Sequence, residues 1–264
     1  MTPLKNLSPY IKNKYGGYTI TRDSIGMSPA EVYKMSYNGD EAVYLKRSAR
    51  KYRNTTYDVK REYDIIKWLS AKLNLPGIIH YEETENFNTL LMSGMKGVDL
   101  ETLKENISIN EYIDYYVRSL KIIQSIDLKQ CPYDNRVNNR LNELSYLIEN
   151  GLADINVDGW EDDTEFTDST ELYNYLTANK PEEDPVFSHG DLCNSNIFID
   201  NGKIGFIDLG RCGTADKWMD IAFCVREIRE LNNAPRWTDL FFNKLGIAPD
   251  WEKIKYFILL DELF

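Results

Sequence analysis

The feature that most constrains this 264-residue chain is a short polar loop followed at once by a hairpin. The stretch Ser188-His189-Gly190-Asp191-Leu192-Cys193-Asn194-Ser195-Asn196 sets Asp191 and Asn196 five residues apart. Two β-type runs follow, 197–199 and 204–207, joined by Asp200-Asn201-Gly202-Lys203. Asn-Gly between apolar runs is a strong hairpin signal, because both central residues of the tight turn need positive φ. The hairpin delivers a second acidic residue, Asp208, followed by Leu209 and Gly210. A bare turn with a strand-edge asparagine would explain the loop alone. It does not explain a second Asp-x-Gly at the far end of the hairpin.

The rest of the chain divides into two regions. From 18 to 95, β-rich runs (YTITR, AEVYKMSY, AVYLKR, TLLMSGM) alternate with turn signals such as Asn38-Gly39-Asp40. One amphipathic segment, 58–73, interrupts them, with Val59, Tyr63, Ile66, Leu69 and Leu73 at helical intervals. Beyond a hinge at about 93–98 the pattern is mostly helical, with helices expected over 108–126, 136–150, 169–178, 217–231 and 250–263. Acidic stretches at 154–168 and 181–185 read as loops. The expected architecture is α+β and bilobal: domain 1–95 with an antiparallel sheet and one helix, and domain 96–264, mostly helical.

Oxygen ligands at this spacing suit phosphoryl transfer. That reaction needs a carboxylate near the attacking hydroxyl and hard oxygen donors for a Mg²⁺ that neutralises the phosphates. Asp191 and Asn196 have the Asp-x₄-Asn spacing of a kinase catalytic loop, and Asp208-Leu209-Gly210 stands where protein kinases carry Asp-Phe-Gly. His189 is assigned to holding the loop by hydrogen bonds. A kinase also needs a sheet lysine held by a helix carboxylate. Lys46 in the run Val43-Tyr44-Leu45-Lys46 and Glu62 on the following helix fill those places in order. A glycine-rich phosphate loop is missing. The segment Ile25-Gly26-Met27-Ser28-Pro29-Ala30 replaces it, and reads equally as a phosphate-contacting loop or an ordinary hairpin turn.

Charge is divided like the pattern. Residues 1–96 hold 15 Lys+Arg against 10 Asp+Glu, whereas 97–264 hold 16 against 32. A basic first third suits nucleotide phosphates and an acidic remainder suits a polycation. The overall charge of −11 argues against nucleic acid as the main partner. No apolar stretch reaches the roughly 18 residues of a membrane span. The opening residues lack the apolar core and cleavage site of a secretory signal. Four cysteines without a CxxC pair, and only two histidines, disfavour a zinc site and suit a reducing cytoplasm.

Longer matches sharpen this reading. GMSPA-VYK, YLK, TTYDV-RE, VFSHGDL-SNIF, GFIDLGR-G-ADKW-DIAFCVR and PDWEKIKY-ILLDELF give the chain a nearly full-length resemblance to the aminoglycoside 3′-phosphotransferases, kinase-fold enzymes that inactivate kanamycin-type antibiotics. The resemblance implies a protein-kinase-like fold, ATP and Mg²⁺. It implies Asp191 as catalytic carboxylate, with Asn196 and Asp208 as metal ligands. It implies Tyr44 stacked on adenine, and Ser93 and Met95 pairing with the adenine edge through their main chain; Met27 and Ser28, in the loop that replaces the glycine-rich one, are the candidates for phosphate contact. Substrate positions would be Asn135, Asp158, Glu161, Asn194, Arg211, Arg226, Glu230, Asp261, Glu262 and the Phe264 carboxylate. Two positions depart from the pattern: Asn194 stands where the family carries an acid, and Asp158 where it carries a longer Glu.

Three other readings stay open at this point. One is a kinase of another small molecule such as choline, a sugar amine or a macrolide. Another is a Ser/Thr protein kinase, against which stand the missing Ala-Pro-Glu segment and glycine-rich loop. The third is a catalytically silent kinase-fold binding protein. A monomer or weak homodimer is expected.

Overall fold

The structure is a computed structural model that describes residues 7–23, 28–39, 41–153, 160 and 164–264. The chain forms two compact units. One comprises the residues through Lys96 together with Gly205–Gly210, and the other Gly97–Ile204 with Arg211–Phe264.

The first unit is built on an antiparallel sheet of β1 (Thr19–Asp23), β2 (Glu31–Ser36), β3 (Val43–Ala49), β4 (Ile78–Glu83) and β5 (Phe87–Ser93), in the order β1-β2-β3-β5-β4. Side chains alternate across a strand, so β3 sends Leu45 to one face and Tyr44, Lys46 and Ser48 to the other. Leu45 joins a buried cluster with Met35 and Leu91 beneath α1 (Pro9–Tyr15), which contributes Ile11 and Tyr15. The opposite face meets α2 (Val59–Leu69), whose first turn is fixed when the Val59 N–H donates to the Ser48 hydroxyl at 3.0 Å. Asp58 caps that helix by accepting from the Lys60 N–H. The helix is shorter than its periodicity suggests, ending before Leu73. Its buried side includes Ile65 and the charged Arg61 and Glu62 as well as Val59, Ile66 and Leu69.

The second unit is mainly helical among its described residues: α3 (Leu100–Leu103), α4 (Ile109–Gln124), α5 (Val137–Glu149), α6 (Ser169–Ala178), α7 (Trp218–Leu231), α8 (Pro235–Leu245) and α9 (Trp251–Asp261). A Ser108–Glu111 capping box starts α4, and Tyr112, Ile113, Tyr116, Val117, Leu120 and Ile123 bury its inner side. A β6 pair (Val98–Asp99) adds to β8 (Ile197–Asp200), which turns through Asn201 and Gly202 into β9 (Lys203–Phe206). Both turn residues have positive φ, 49° and 78°, as the tight hairpin requires. A second ribbon pairs β7 (Pro185–Ser188) antiparallel with β10 (Gly213–Asp216), so that Ser188 faces Gly213. No described helix is long and apolar enough to cross a membrane.

Candidate functional site

In the first unit three charged side chains converge. Lys46 Nζ lies 2.9 Å from Glu62 Oε2 and 2.6 Å from Asp208 Oδ1. The strand register puts Lys46 on the face that meets α2, and the α2 register turns Glu62 inward, so both are buried. Burial alone would lower the Lys46 pKa, but Asp208 and then Glu62 outweigh it and hold the ammonium charged. Asp208 arrives from the far end of the chain, in the segment Gly205–Gly210 that packs with this unit. Its φ of 55° is left-handed, a conformation that Asp tolerates better than most residues. The Leu209 N–H bonds to Glu62 Oε1 at 3.3 Å and Arg61 Nε donates to the Gly210 carbonyl at 3.2 Å, which fixes the turn around it. The Asp208 side chain remains 44% exposed, so its carboxylate is accessible from solvent.

Tyr44, two residues before Lys46 on the same face, is half-buried with its ring against Gly94. The Ser93 N–H already donates to the Gly77 carbonyl, and the Ser93 hydroxyl accepts from the Gly77 N–H at 2.9 Å. Met95 is half-buried. Exposed Ser28 accepts the Ala30 N–H at 3.1 Å, closing a local turn. Met27, Asp158 and Glu161 lie outside the described residues.

In the second unit the β7–β10 ribbon ends where the polar loop begins. The first turn of α7 then holds that loop, because Asp220 accepts the His189 N–H at 2.8 Å and the Gly190 N–H at 2.9 Å. Gly190 is required here: φ is 77°, and a Cβ would sit 2.3 Å from the Arg211 carbonyl oxygen. Burial raises the Asp220 pKa, while His189 and the two N–H groups oppose it. Asp191 follows, half-buried, and Asn196 Nδ2 donates to its carbonyl at 2.9 Å and its Oδ2 at 3.1 Å. The Asn196 amide oxygen is thereby turned away from Asp191. Asn194 is half-buried, with Nδ2 3.4 Å from the Tyr112 hydroxyl.

A third cluster gathers residues expected at the substrate. Asp261 bonds to Arg211 Nη1 at 2.8 Å and to Arg226 Nη1 at 2.9 Å. Arg211 Nη2 also donates to the Phe264 main-chain oxygen at 3.0 Å. Burial would raise the Asp261 pKa, but the two guanidiniums win and lower it. The Arg140 guanidinium lies over the Phe264 ring, 3.5 Å from its centroid. Asn135 is only 3% exposed and its side chain donates to the Arg211 carbonyl at 2.7 Å, pinning that segment rather than opening onto solvent. Glu262 borders a cavity of about 370 Å³ shared with Glu165, Arg229, Trp251 and Lys255. Glu230 is exposed on α7.

The profile of the phosphotransferase enzyme family matches residues 19–257. An aminoglycoside 3′-phosphotransferase of Enterococcus faecalis is 50% identical over 260 residues, covering 98% of both chains. The chain belongs to the aminoglycoside 3′-phosphotransferases. A Staphylococcus aureus member is also 50% identical over 98% of both chains, and a Campylobacter jejuni member is 46% identical over 91% of this chain and 95% of its own. The fold is shared with an aminoglycoside 3′-phosphotransferase of type VIII: TM-score 0.81, 21% identity, 97% of each chain. It is shared too with a Streptomyces rimosus aminoglycoside phosphotransferase in complex with ADP and streptomycin: TM-score 0.79, 19% identity, 99% of this chain and 98% of that one.

Sequence reasoning missed Asp220, the residue that clamps the loop. Its signal was an acid in the first turn of an otherwise apolar helix, DIAFCV, where a solvated carboxylate would be out of place.

Proposed function

We propose that this protein transfers the γ-phosphoryl group of ATP to the 3′-hydroxyl of an aminoglycoside, with Mg²⁺ as the metal. The observation that carries this reading is the 50% identity to aminoglycoside 3′-phosphotransferases across 98% of the chain. The residues supply a matching chemistry. Lys46, held charged between two carboxylates, is a fixed cation for nucleotide phosphates. Tyr44 offers a ring beside Gly94 for the adenine. Asp191, oriented by Asn196, accepts the proton of the attacking hydroxyl. The hydroxyl oxygen bonds to the γ-phosphorus as the bond to the β-phosphate oxygen breaks, leaving ADP and a phosphate ester.

The donor set suits Mg²⁺. Among the described residues no cluster of three His, Cys, Asp or Glu could hold an ion by itself. Mg²⁺ prefers one or two protein oxygens plus substrate phosphates to an all-protein cage, and Asp208 and the Asn196 amide oxygen are donors of that kind. When bound, it neutralises charge on the phosphates of the nucleotide. The four cysteines, none of them in a disulfide, suit a reducing cytoplasm.

Assaying 4,5- and 4,6-disubstituted aminoglycosides with MgATP, and reading the product regiochemistry by NMR, tests the reading. The expected product is the 3′-phosphate, and Asp191→Ala should lower kcat by about 10²-fold or more while nucleotide affinity holds. Absence of a phosphorylated product from the wild-type protein overturns the function. Full kcat in Asp191→Ala removes Asp191 from it.

A further inference from the structure

Helix α7 carries three buried residues on one stripe: Asp220, Cys224 and Glu227, at successive intervals of four and three. The polar loop runs along that stripe. Asp220 takes the N–H groups of His189 and Gly190, Cys193 approaches Cys224, and Glu227 takes the Asn194 N–H. Glu227 differs from Asp220 in one respect. Its carboxylate also accepts from the Tyr116 hydroxyl, yet Oε2 is fully buried without a hydrogen-bond partner among the described residues, and the side chain is only 8% exposed. A buried carboxylate oxygen left without a donor is costly, so such an atom in a native fold calls for a partner.

The nearest charged and titratable groups do not provide one. From α4 come the neutral Tyr112 and Tyr116, and from the loop comes Cys193, whose thiol is pushed up to about 12 by burial and Asp191. Lys104, just beyond α3, is bonded to Glu101 at 2.6 Å, and Arg226 to Asp261 at 2.9 Å. Cys224 is buried on the stripe itself, and its thiol stays protonated. One turn further along α7 stands Glu230, exposed to solvent and of the same charge. Burial first and Glu230 second raise the Glu227 carboxyl to about 7, against the opposing effects of Arg226, Tyr116 and the Asn194 N–H. Two carboxylates and a half-buried amide thus lie together, and the cations within range, Lys104 and Arg226, are hydrogen-bonded to Glu101 and Asp261.

We propose that Glu227 is a specificity-determining residue, which receives a protonated amino group of the substrate between its own carboxylate, Glu230 and Asn194. The inference rests on the aminoglycoside reading above. It accounts for the amide at Asn194: the anion that the family pattern puts on the loop is supplied here from the helix beneath it. An ammonium donates up to three hydrogen bonds and would complete Oε2.

The test compares wild-type protein with Glu227→Gln, which keeps the shape and the acceptor for Tyr116 and Asn194. The variant should raise the aminoglycoside KM by about tenfold or more, the scale of losing one partner of a buried charge pair, with ATP KM and kcat within about twofold of wild type. Wild-type kcat/KM for the aminoglycoside should fall as pH drops through about 7, where Glu227 takes up a proton, and this step should vanish in the variant. Glu227→Gln combined with Asn194→Asp should recover most of the lost affinity. A residue that merely held the loop would instead change kcat and ATP KM together, and a carboxylate at 194 would not rescue it; that pattern overturns the proposal. Should Glu227→Gln not fold, calorimetric titration of wild-type protein with kanamycin at pH 6, in buffers of different ionisation enthalpy, decides. Release of up to about one proton supports a carboxyl ionised by the ligand, and no release overturns it. If wild-type protein phosphorylates no aminoglycoside, the functional reading fails; if it does and Glu227→Gln is silent, only this inference fails.

Discussion

Each of the two units holds an ion triad, and the triads are charge mirrors. In the first, one ammonium, Lys46, sits between two carboxylates, Glu62 and Asp208. In the second, one carboxylate, Asp261, sits between two guanidiniums, Arg211 and Arg226. Each runs against its surroundings, since the first third of the chain is net basic and the remainder net acidic. The useful difference is exposure. Every member of the Arg–Asp–Arg triad is at most 20% exposed, and Asp261 is satisfied on both oxygens. The Lys–Glu–Asp triad keeps one member, Asp208, 44% exposed on a left-handed turn. A closed triad with excess positive charge fixes a structure. An open triad with excess negative charge leaves a carboxylate able to exchange partners, which is what the metal role proposed above for Asp208 requires.

This contrast can be broken by substitution. The largest effect is expected at Asp208→Asn: turnover should fall by about 10³-fold or more over the accessible Mg²⁺ range, with thermal stability nearly unchanged, because the lost charge is the exposed one. Normal turnover at low Mg²⁺ would remove Asp208 from the metal. Lys46→Met comes next, with kcat/KM for ATP down by about 10²-fold. A loss confined to the aminoglycoside KM would mean that Lys46 does not meet the nucleotide.

Asp261→Asn should show the opposite profile. It leaves two guanidiniums without their shared anion, a loss of about 3 kcal/mol, or ~6–12 °C in Tm, while kcat stays within a few-fold. A kcat collapse at unchanged Tm would make this triad part of the chemistry. Removing residues 261–264 is a blunter tool, since it also deletes the fully buried Leu263. The smallest effect is in pH. The Asp261 pKa is depressed in the folded protein, so its contribution is present above the unfolded value of about 3.9 and is lost as pH falls through the lower folded value. Denaturation curves of wild type and Asp261→Asn should therefore converge below about pH 4.

Much of the fold was legible because periodicity survives in sequence. The expected helices at 108–126, 136–150, 169–178, 217–231 and 250–263 correspond to α4, α5, α6, α7 and α9, and the Asn201-Gly202 hairpin forms where its turn signal stands. Most of what escaped lacks local signals. α8 is the exception: Pro235 in its first turn and the left-handed Gly246 at its end mark its boundaries, although Ala234 offers no side-chain cap. β4 is half-buried at every position before the exposed Glu83, so it shows no alternation. β7 and β10 are four residues each and exist through their pairing. In the site, Lys46, Glu62 and Asp208 were readable from order and spacing, and the structure brings them within bonding distance. Asp220 left a signal in its apolar surroundings, but its role depends on the loop it faces; Glu227, set among Arg226, Arg229 and Glu230, reads in sequence as part of a solvated face. The arginines expected at the substrate were visible as residues, but their shared engagement with Asp261 is a long-range contact that sequence spacing does not encode.

The segment Gly205–Gly210 has a consequence for how the protein is made. The first unit is discontinuous: its Phe206 N–H bonds back to the Asn74 carbonyl, and Asp208 completes the environment of Lys46. A ribosome that has released residues 1–96 has therefore not yet released all of that unit. Some hundred further residues must be translated before the buried Lys46 and Glu62 meet their last partner, which at about 5–20 residues per second is a delay of several seconds. During that interval the nascent sheet carries a nearly neutral ion pair in place of its finished triad. Completion of the triad is thereby postponed until the polar loop 188–196, encoded just upstream of the closing segment, has also been synthesised.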